Sequence, residues 1–165
     1  MAEEIWLSGK LDGFSPVMMP AAHALSQAIV DLKKSAADLS GEELSAQPNG
    51  APSVAFHLRH IAGSVDRLLT YAKGENLSDA QFELLKRETL ESSGLNAEEL
   101  VGQAVSSIEN ALEFCRTVSE EILLDERFVG RKRLPTNVFG LLFHIAEHTA
   151  RHVGQIITIV RIVRK

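Results

Sequence analysis

Apolar residues recur three and four positions apart along four long stretches of this 165-residue chain, and this repeat limits the fold more than any other feature. Such spacing places the apolar side chains on one face of an α-helix. A four-helix bundle is the simplest way to bury four such faces, so the predicted fold is all-α. The repeating positions are Ala21, Leu25, Ile29 and Leu32; Val54, Leu58, Ile61, Val65, Leu68 and Leu69; Val101, Val105, Ile108, Leu112 and Cys115; and Leu141, Leu142, Ile145, Ile156 and Ile159.

The ends of these stretches carry signals that are typical of helix termini. Pro16 and Pro20 introduce the first stretch, which fades at residues 40–41. Ser53 is a candidate N-cap for the second helix. We expect this helix to end near Lys73 and Gly74, a basic residue followed by a glycine at the C′ position. Asn96 is the predicted N-cap of the third helix, with acidic residues in the first turn, where the helix dipole favours them.

The connections between the long helices are rich in turn-forming or charged residues. Residues 45–52 form a turn cluster, and a short extra helix is predicted around Asp79–Thr89. Residues 125–134 form a charged connection. Pro135 then suits an early helical position, so the last helix is predicted from about Thr136 almost to the end of the chain.

Charge and hydropathy argue against several classes of protein. The formal net charge is −5, whereas general nucleic-acid binders are usually basic, so we expect no nucleic-acid partner. No apolar run is long enough to span a membrane, and the opening residues lack the apolar segment of a signal peptide. We therefore expect a cytoplasmic protein. No break in composition divides the chain, so residues 1–165 are predicted to form a single domain.

The histidines are the most informative candidates for chemistry. His144, His148 and His152 are each four residues apart on the last helix, so they lie along one stripe, about one turn from each other. The second helix carries His57 and His60. A histidine from that helix could supply a third ligand beside an i, i+4 pair, and three histidines with an open position are typical of a catalytic metal site.

Two sharper metal motifs fit less well. Residues 144–148 match H-x-x-E-H, in which Glu147 would be the general base, but such enzymes commonly take a further carboxylate ligand later in the chain, and no Asp or Glu follows Glu147. Ferritin-like di-iron bundles use Glu-x-x-His on two helices, and this chain has no such pair.

Other chemistry-bearing groups have plain structural interpretations. Cys115 is the single cysteine and lies on the apolar face of the third helix, which favours a buried side chain over a nucleophile. The basic loop, formed by Arg127, Arg131, Lys132 and Arg133, could attract an anionic substrate if it folds near a metal, although such charges are mostly solvated.

Two histidine segments resemble those of the DinB/YfiT-like superfamily of metal-binding four-helix bundles. The segment HTARHVGQIITIVR looks like its H-x3-H-x-G-Q-I signature, and FHLRHIAGSVDRLL looks like its first-ligand segment. Carried over residue by residue, the resemblance implies metal ligands His60, His148 and His152. Gln155 fits the glutamine of the signature. His57 and His144 are then extra and would lie close to the ligands.

The resemblance also implies a divalent metal with open positions, commonly zinc or nickel, and a homodimer. Characterised members of the superfamily include thiol-dependent S-transferases and isomerases. We therefore expect a metal-dependent enzyme that acts on a small-molecule substrate, with a low-molecular-weight thiol as a candidate cofactor. The alternatives are a metal-dependent hydrolase and a non-catalytic metal-binding or stress-response bundle. The catalytic residues stay unassigned.

Overall fold

The fold was analysed in a computed structural model that describes residues 4–89 and 94–165. The start of the predicted lead-in segment, residues 1–3, and part of the polar stretch before the third long helix, residues 90–93, lie outside the described residues. The described part contains six α-helices and one two-stranded sheet, as follows: α1 (Met19–Ala36), α2 (Gly41–Ser45), α3 (Val54–Ala72), α4 (Asp79–Arg87), α5 (Ala97–Thr117), β1 (Glu126–Val129), β2 (Leu134–Asn137) and α6 (Val138–Val163).

The four long helices, α1, α3, α5 and α6, form the predicted bundle. Helix α3 packs against α5 and α6, and α1 packs against the same two helices from the opposite side. The repeating apolar faces meet in the centre, where Leu25, Leu58, Ile108 and Leu142 are fully buried. This arrangement makes α3 and α6 neighbours, so the two histidine-bearing helices share one interface.

The predicted signals at the helix ends are confirmed where they concern α3 and α5. The Ser53 hydroxyl accepts a hydrogen bond from the backbone N–H of Phe56, and the Asn96 side chain accepts one from Glu99. Gly74 follows α3 with a φ of +79°, a conformation that glycine adopts without steric cost. The Ser53 cap marks the start of α3, the helix that carries His57 and His60.

The predicted start of the last helix is wrong by two residues, because residues 126–137 form a β-hairpin. Phe128 pairs with Pro135 and Val129 with Leu134, so Pro135 lies in a strand of a two-stranded sheet, where its missing N–H is tolerated. The Asn137 side chain accepts a hydrogen bond from the backbone N–H of Gly140 and caps α6. An asparagine cap satisfies a free helical N–H, which Pro135 could not do.

Two short helices complete the connections. The predicted extra helix is present as α4, which begins at Asp79. Helix α2 falls where the first helix was expected to fade, and it begins with a capping box in which Ser40 and Glu43 exchange side-chain-to-backbone hydrogen bonds. Among residues 4–89 and 94–165, no helix combines the length and apolar character needed to cross a membrane.

Candidate metal centre

The interface between α3 and α6 brings histidines from both helices together. His60 of α3 faces His148 and His152 of α6, and one ring nitrogen of each lies within 4.8 Å of the others. The imidazole rings pack closely, with centroids 4.5 Å apart for His148 and His152 and 4.6 Å apart for His60 and His152. The three histidines that the resemblance singles out therefore form one cluster, here called the histidine cluster.

The ring nitrogens that converge are the Nε2 atoms. His148 Nε2 lies 3.3 Å from His152 Nε2 and 3.5 Å from His60 Nε2. Two nitrogens bound to one tetrahedral zinc ion at about 2.0–2.1 Å would be separated by about 3.3–3.4 Å. The observed separations match this value, so the donor set fits a divalent ion that prefers nitrogen ligands, and His60, His148 and His152 are the residues that could hold it.

Burial keeps two of the three imidazoles in the form that binds metal. Desolvation lowers the pKa of His148 to about 4 and that of His152 to about 3, with a smaller contribution from the neighbouring His60. Both rings are consequently neutral near pH 7 and offer a nitrogen lone pair. Neutral imidazole is the protonation state that metal binding requires.

A buried carboxylate holds His60 from outside the histidine cluster. Oε2 of Glu88, the residue that ends α4, lies 2.8 Å from Nδ1 of His60, and Oε1 lies 2.7 Å from a guanidinium nitrogen of Arg67. Glu88 and Arg67 are only 5% and 9% exposed. Because a carboxylate can only accept, His60 donates through Nδ1–H and keeps its lone pair on Nε2. Sequence reasoning missed Glu88, which lies far along the chain from the histidines.

A glycine makes room for this carboxylate. A Cβ atom at Gly63 would lie 2.5 Å from Glu88 Oε1 and 2.7 Å from Arg67 Nη1. His60, Gly63 and Arg67 follow one another at spacings of three and four, so all three lie on one face of α3. The spacing can be read from the sequence, but Glu88, which contacts both His60 and Arg67, follows α4 and could not be predicted from it.

His57 supports the histidine cluster from the interior. Its ring is 1% exposed, and its Nδ1 lies 2.8 Å from Nδ1 of His152. If His152 uses its Nε2 lone pair for a metal, its Nδ1–H must donate to His57, which then carries its own proton on Nε2. Within the described residues, His57 Nε2 is buried without a hydrogen-bond partner. Burial also lowers the pKa of His57 and keeps the ring neutral.

The remaining predicted site residues lie on α6 at the solvent side. The His144 ring centroid is 5.2 Å from that of His148, and His144 Nδ1 lies 2.6 Å from Glu147 Oε1. Arg151 pairs with the same carboxylate at 2.8 Å. Gln155 is exposed, one turn beyond His152. The structure thus brings His144 beside the histidine cluster, and the carboxylate of Glu147 binds His144 and Arg151.

The other candidate groups have structural roles. Cys115 is buried, and desolvation raises the pKa of its thiol to about 11, as expected for a core residue. Arg127 donates to the carbonyl oxygen of Ala72 at the end of α3, about 18 Å along the helix from His60 at 1.5 Å per residue. Arg133 lies over the ring of Phe128, 4.1 Å from its centroid. Arg127 and Arg133 of the basic loop thus pack on the end of α3 and on their own hairpin, and Arg131 lies over the Phe82 ring of α4.

Fold and site together define a class: a four-helix bundle with a cluster of three histidines that is compatible with a metal site. The sequence model of the DinB superfamily matches residues 24–156, which include both histidine segments. This match covers most of the chain, so the protein belongs to the DinB superfamily, and the resemblance found in the sequence is confirmed. A search of curated proteins gave no match.

Replacing Gly63 with alanine should destabilise the protein, because the added Cβ would displace the buried Glu88 carboxylate from Arg67. We expect the free energy of unfolding to fall by about 1–3 kcal/mol, the usual range for overpacking. The matched control is Gly102→Ala on α5, where a Cβ would meet no atom within 4 Å. That variant should be as stable as the parent, or more stable by up to about 1 kcal/mol.

Urea unfolding followed by circular dichroism measures both changes. Equal stability of the two alanine variants would show that Gly63 is not needed for the approach of Glu88 to α3.

Proposed function

We propose that the protein is a metal-dependent enzyme in which His60, His148 and His152 hold one divalent ion. The observation that carries the proposal is the convergence of three Nε2 atoms at separations suited to a single ion, with two of the rings kept neutral by burial. A divalent ion bound only by neutral imidazoles keeps its full positive charge and acts as a Lewis acid toward a substrate or cofactor at its remaining positions.

The chain's own residues would hold two of the three ligands, His60 and His152, in place before any substrate arrives. Glu88 holds His60 through its Nδ1, and His57 contacts His152 through its Nδ1. The Phe56 ring stacks on His60, with an interplanar angle of 12° and centroids 5.5 Å apart. Rings that are held on two sides lose little rotational freedom on binding, which favours a preorganised site.

On the substrate side, we propose a small molecule, with zinc or nickel as the metal and a low-molecular-weight thiol as cofactor. Support comes from membership of the DinB superfamily and from the charge of the centre. A cationic centre with neutral ligands favours the anionic form of an incoming thiol. His144, whose side chain is 45% exposed and contacts Glu147, lies beside His148, with ring centroids 5.2 Å apart.

Metal analysis of the full chain, purified without a histidine tag, tests the first proposal. We expect about one equivalent of divalent metal, as one three-histidine site implies. Each of the variants His60→Ala, His148→Ala and His152→Ala should lose it, since two remaining ligands bind weakly. His23→Ala is the matched control, because His23 lies on α1 and contacts the carbonyl oxygen of Gly9.

Two outcomes would contradict the assignment. One is stoichiometric metal that survives His60→Ala but is lost in His57→Ala or His144→Ala. The other is a parent protein that binds no divalent metal.

Helical circular dichroism should persist at room temperature after chelation, because the apolar core of the bundle forms without the ion. Unfolding on chelation would make the ion structural and would weaken the enzyme proposal.

A thiol titration of the cobalt-substituted protein tests the cofactor. We expect a sulfur-to-metal charge-transfer band as a small thiol is added, and no such band in His148→Ala, which removes a ligand. No spectral change at millimolar thiol, with cobalt demonstrably bound, would exclude a thiol ligand. The hydrolase and the non-catalytic binder would then be the remaining functions.

A further inference from the structure

Glu88 is placed in a way that an ordinary ion pair does not require. Its carboxylate is nearly fully buried, and its two oxygens are divided between Arg67 and His60. A bidentate pair with Arg67 would satisfy both oxygens and both charges without a third group. Instead, one oxygen is directed at the ring of a residue in the histidine cluster. This division couples the carboxylate to the orientation of His60.

The contact also selects the tautomer of His60. Arg67 has no acceptor, so Glu88 must present an oxygen to it, and the second oxygen accepts from Nδ1–H of His60. The Nε2 lone pair of His60 is then free to face His148, 3.5 Å away. The guanidinium of Arg67 balances the negative charge of the buried carboxylate, which would otherwise be costly to keep out of water.

Helix α4, which delivers Glu88, lies on the surface of the bundle. No residue from Asp79 to Arg87 is buried. A cleft of about 890 Å³ lies between α3, α4 and α5, and Glu88 forms part of its wall. Near the start of α4, the Gln81 amide donates to Asp66 at 2.7 Å and to Thr70 at 2.8 Å. Both ends of α4 therefore contact α3 through polar side chains. At the C-terminal end, the contact of Glu88 is with His60.

We propose that Glu88 is a positioning residue of the metal centre: it fixes His60 in the Nδ1–H tautomer and aims its Nε2 at the shared ligand position. This inference rests on the proposed metal site. A hydrogen-bonded carboxylate behind a ligating histidine orients the ring and raises its basicity, and its loss typically lowers metal affinity 10–100-fold, as an order of magnitude. The contact between α4 and His60 then links the docking of α4 to metal binding.

The substitution Glu88→Gln keeps the shape of the side chain but removes its negative charge and one of its two acceptor oxygens. Because Arg67 can only donate, the amide oxygen of the glutamine must face Arg67, and its NH2 group must face His60. His60 would then accept at Nδ1 and carry its proton on Nε2, which is the wrong tautomer for the histidine cluster. We expect cobalt and zinc affinity to fall by about 10–100-fold, measured by competition with a chelating dye.

Gln81→Ala is the matched control, because it loosens the other end of α4 without touching His60. This variant should lose some thermal stability and keep the parent's metal affinity within about a factor of two, as expected when no residue around a ligand changes. Equal affinities of Glu88→Gln and the parent would overturn the proposal. So would an equal loss in both variants, which would make the effect one of α4 docking alone.

A measurement on the unsubstituted protein tests the tautomer directly. In the metal-free protein at about pH 8, above the ordinary histidine pKa, long-range 15N NMR should show the His60 proton on Nδ1. The Nε2–H tautomer in the parent would overturn the proposal, whether or not Glu88→Gln folds. This result does not depend on metal binding, so it stays distinguishable from failure of the metal site itself.

Discussion

Three imidazole nitrogens face one another across the α3–α6 interface, and the rest of the site is arranged around that constraint. With their protons on Nδ1, the three rings would turn three Nε2 lone pairs toward one another, and such lone pairs gain nothing from each other. Burial lowers the pKa of His148 and His152, which disfavours taking up protons in place of an ion. A divalent ion is the ligand that would satisfy all three nitrogens at once.

The surroundings of the histidine cluster favour the same protonation pattern at two of its members. Glu88 contacts Nδ1 of His60, and His57 contacts Nδ1 of His152. The two supports differ in character, since one is a carboxylate balanced by Arg67 and the other is a neutral ring whose far nitrogen has no partner within the described residues.

Sequence periodicity was sufficient for the long helices and for the α6 half of the site. The i, i+4 spacing of His148 and His152 places both rings on one stripe. The caps at Ser53 and Asn96 could be predicted because a capping hydrogen bond joins residues only a few positions apart. The hairpin around Pro135 was missed, since a proline can open a helix or sit in a short strand, and the choice depends on pairing with Phe128.

The part of the site that sequence analysis did not predict depends on contacts between residues far apart along the chain. Spacing alone could not choose between His57 and His60, which differ only in the direction in which each ring leaves α3; the family resemblance made that choice. Glu88 reaches His60 from α4, 28 residues later, and no local pattern predicts such a contact. Gly63 stands out in the sequence as a glycine inside a strongly apolar helix. The structure explains it, because the Glu88 carboxylate occupies the space that a side chain would need.

X-ray absorption at the zinc edge of the full-length, tag-free protein tests the central claim most directly. The account predicts three imidazole ligands at about 2.0–2.1 Å, with any remaining scatterer a light atom. His57→Ala should leave that count of imidazoles unchanged, because His57 contacts His152 through Nδ1 and not the ligand position. A sulfur scatterer from the protein, or a shell with fewer than three imidazoles, would contradict it.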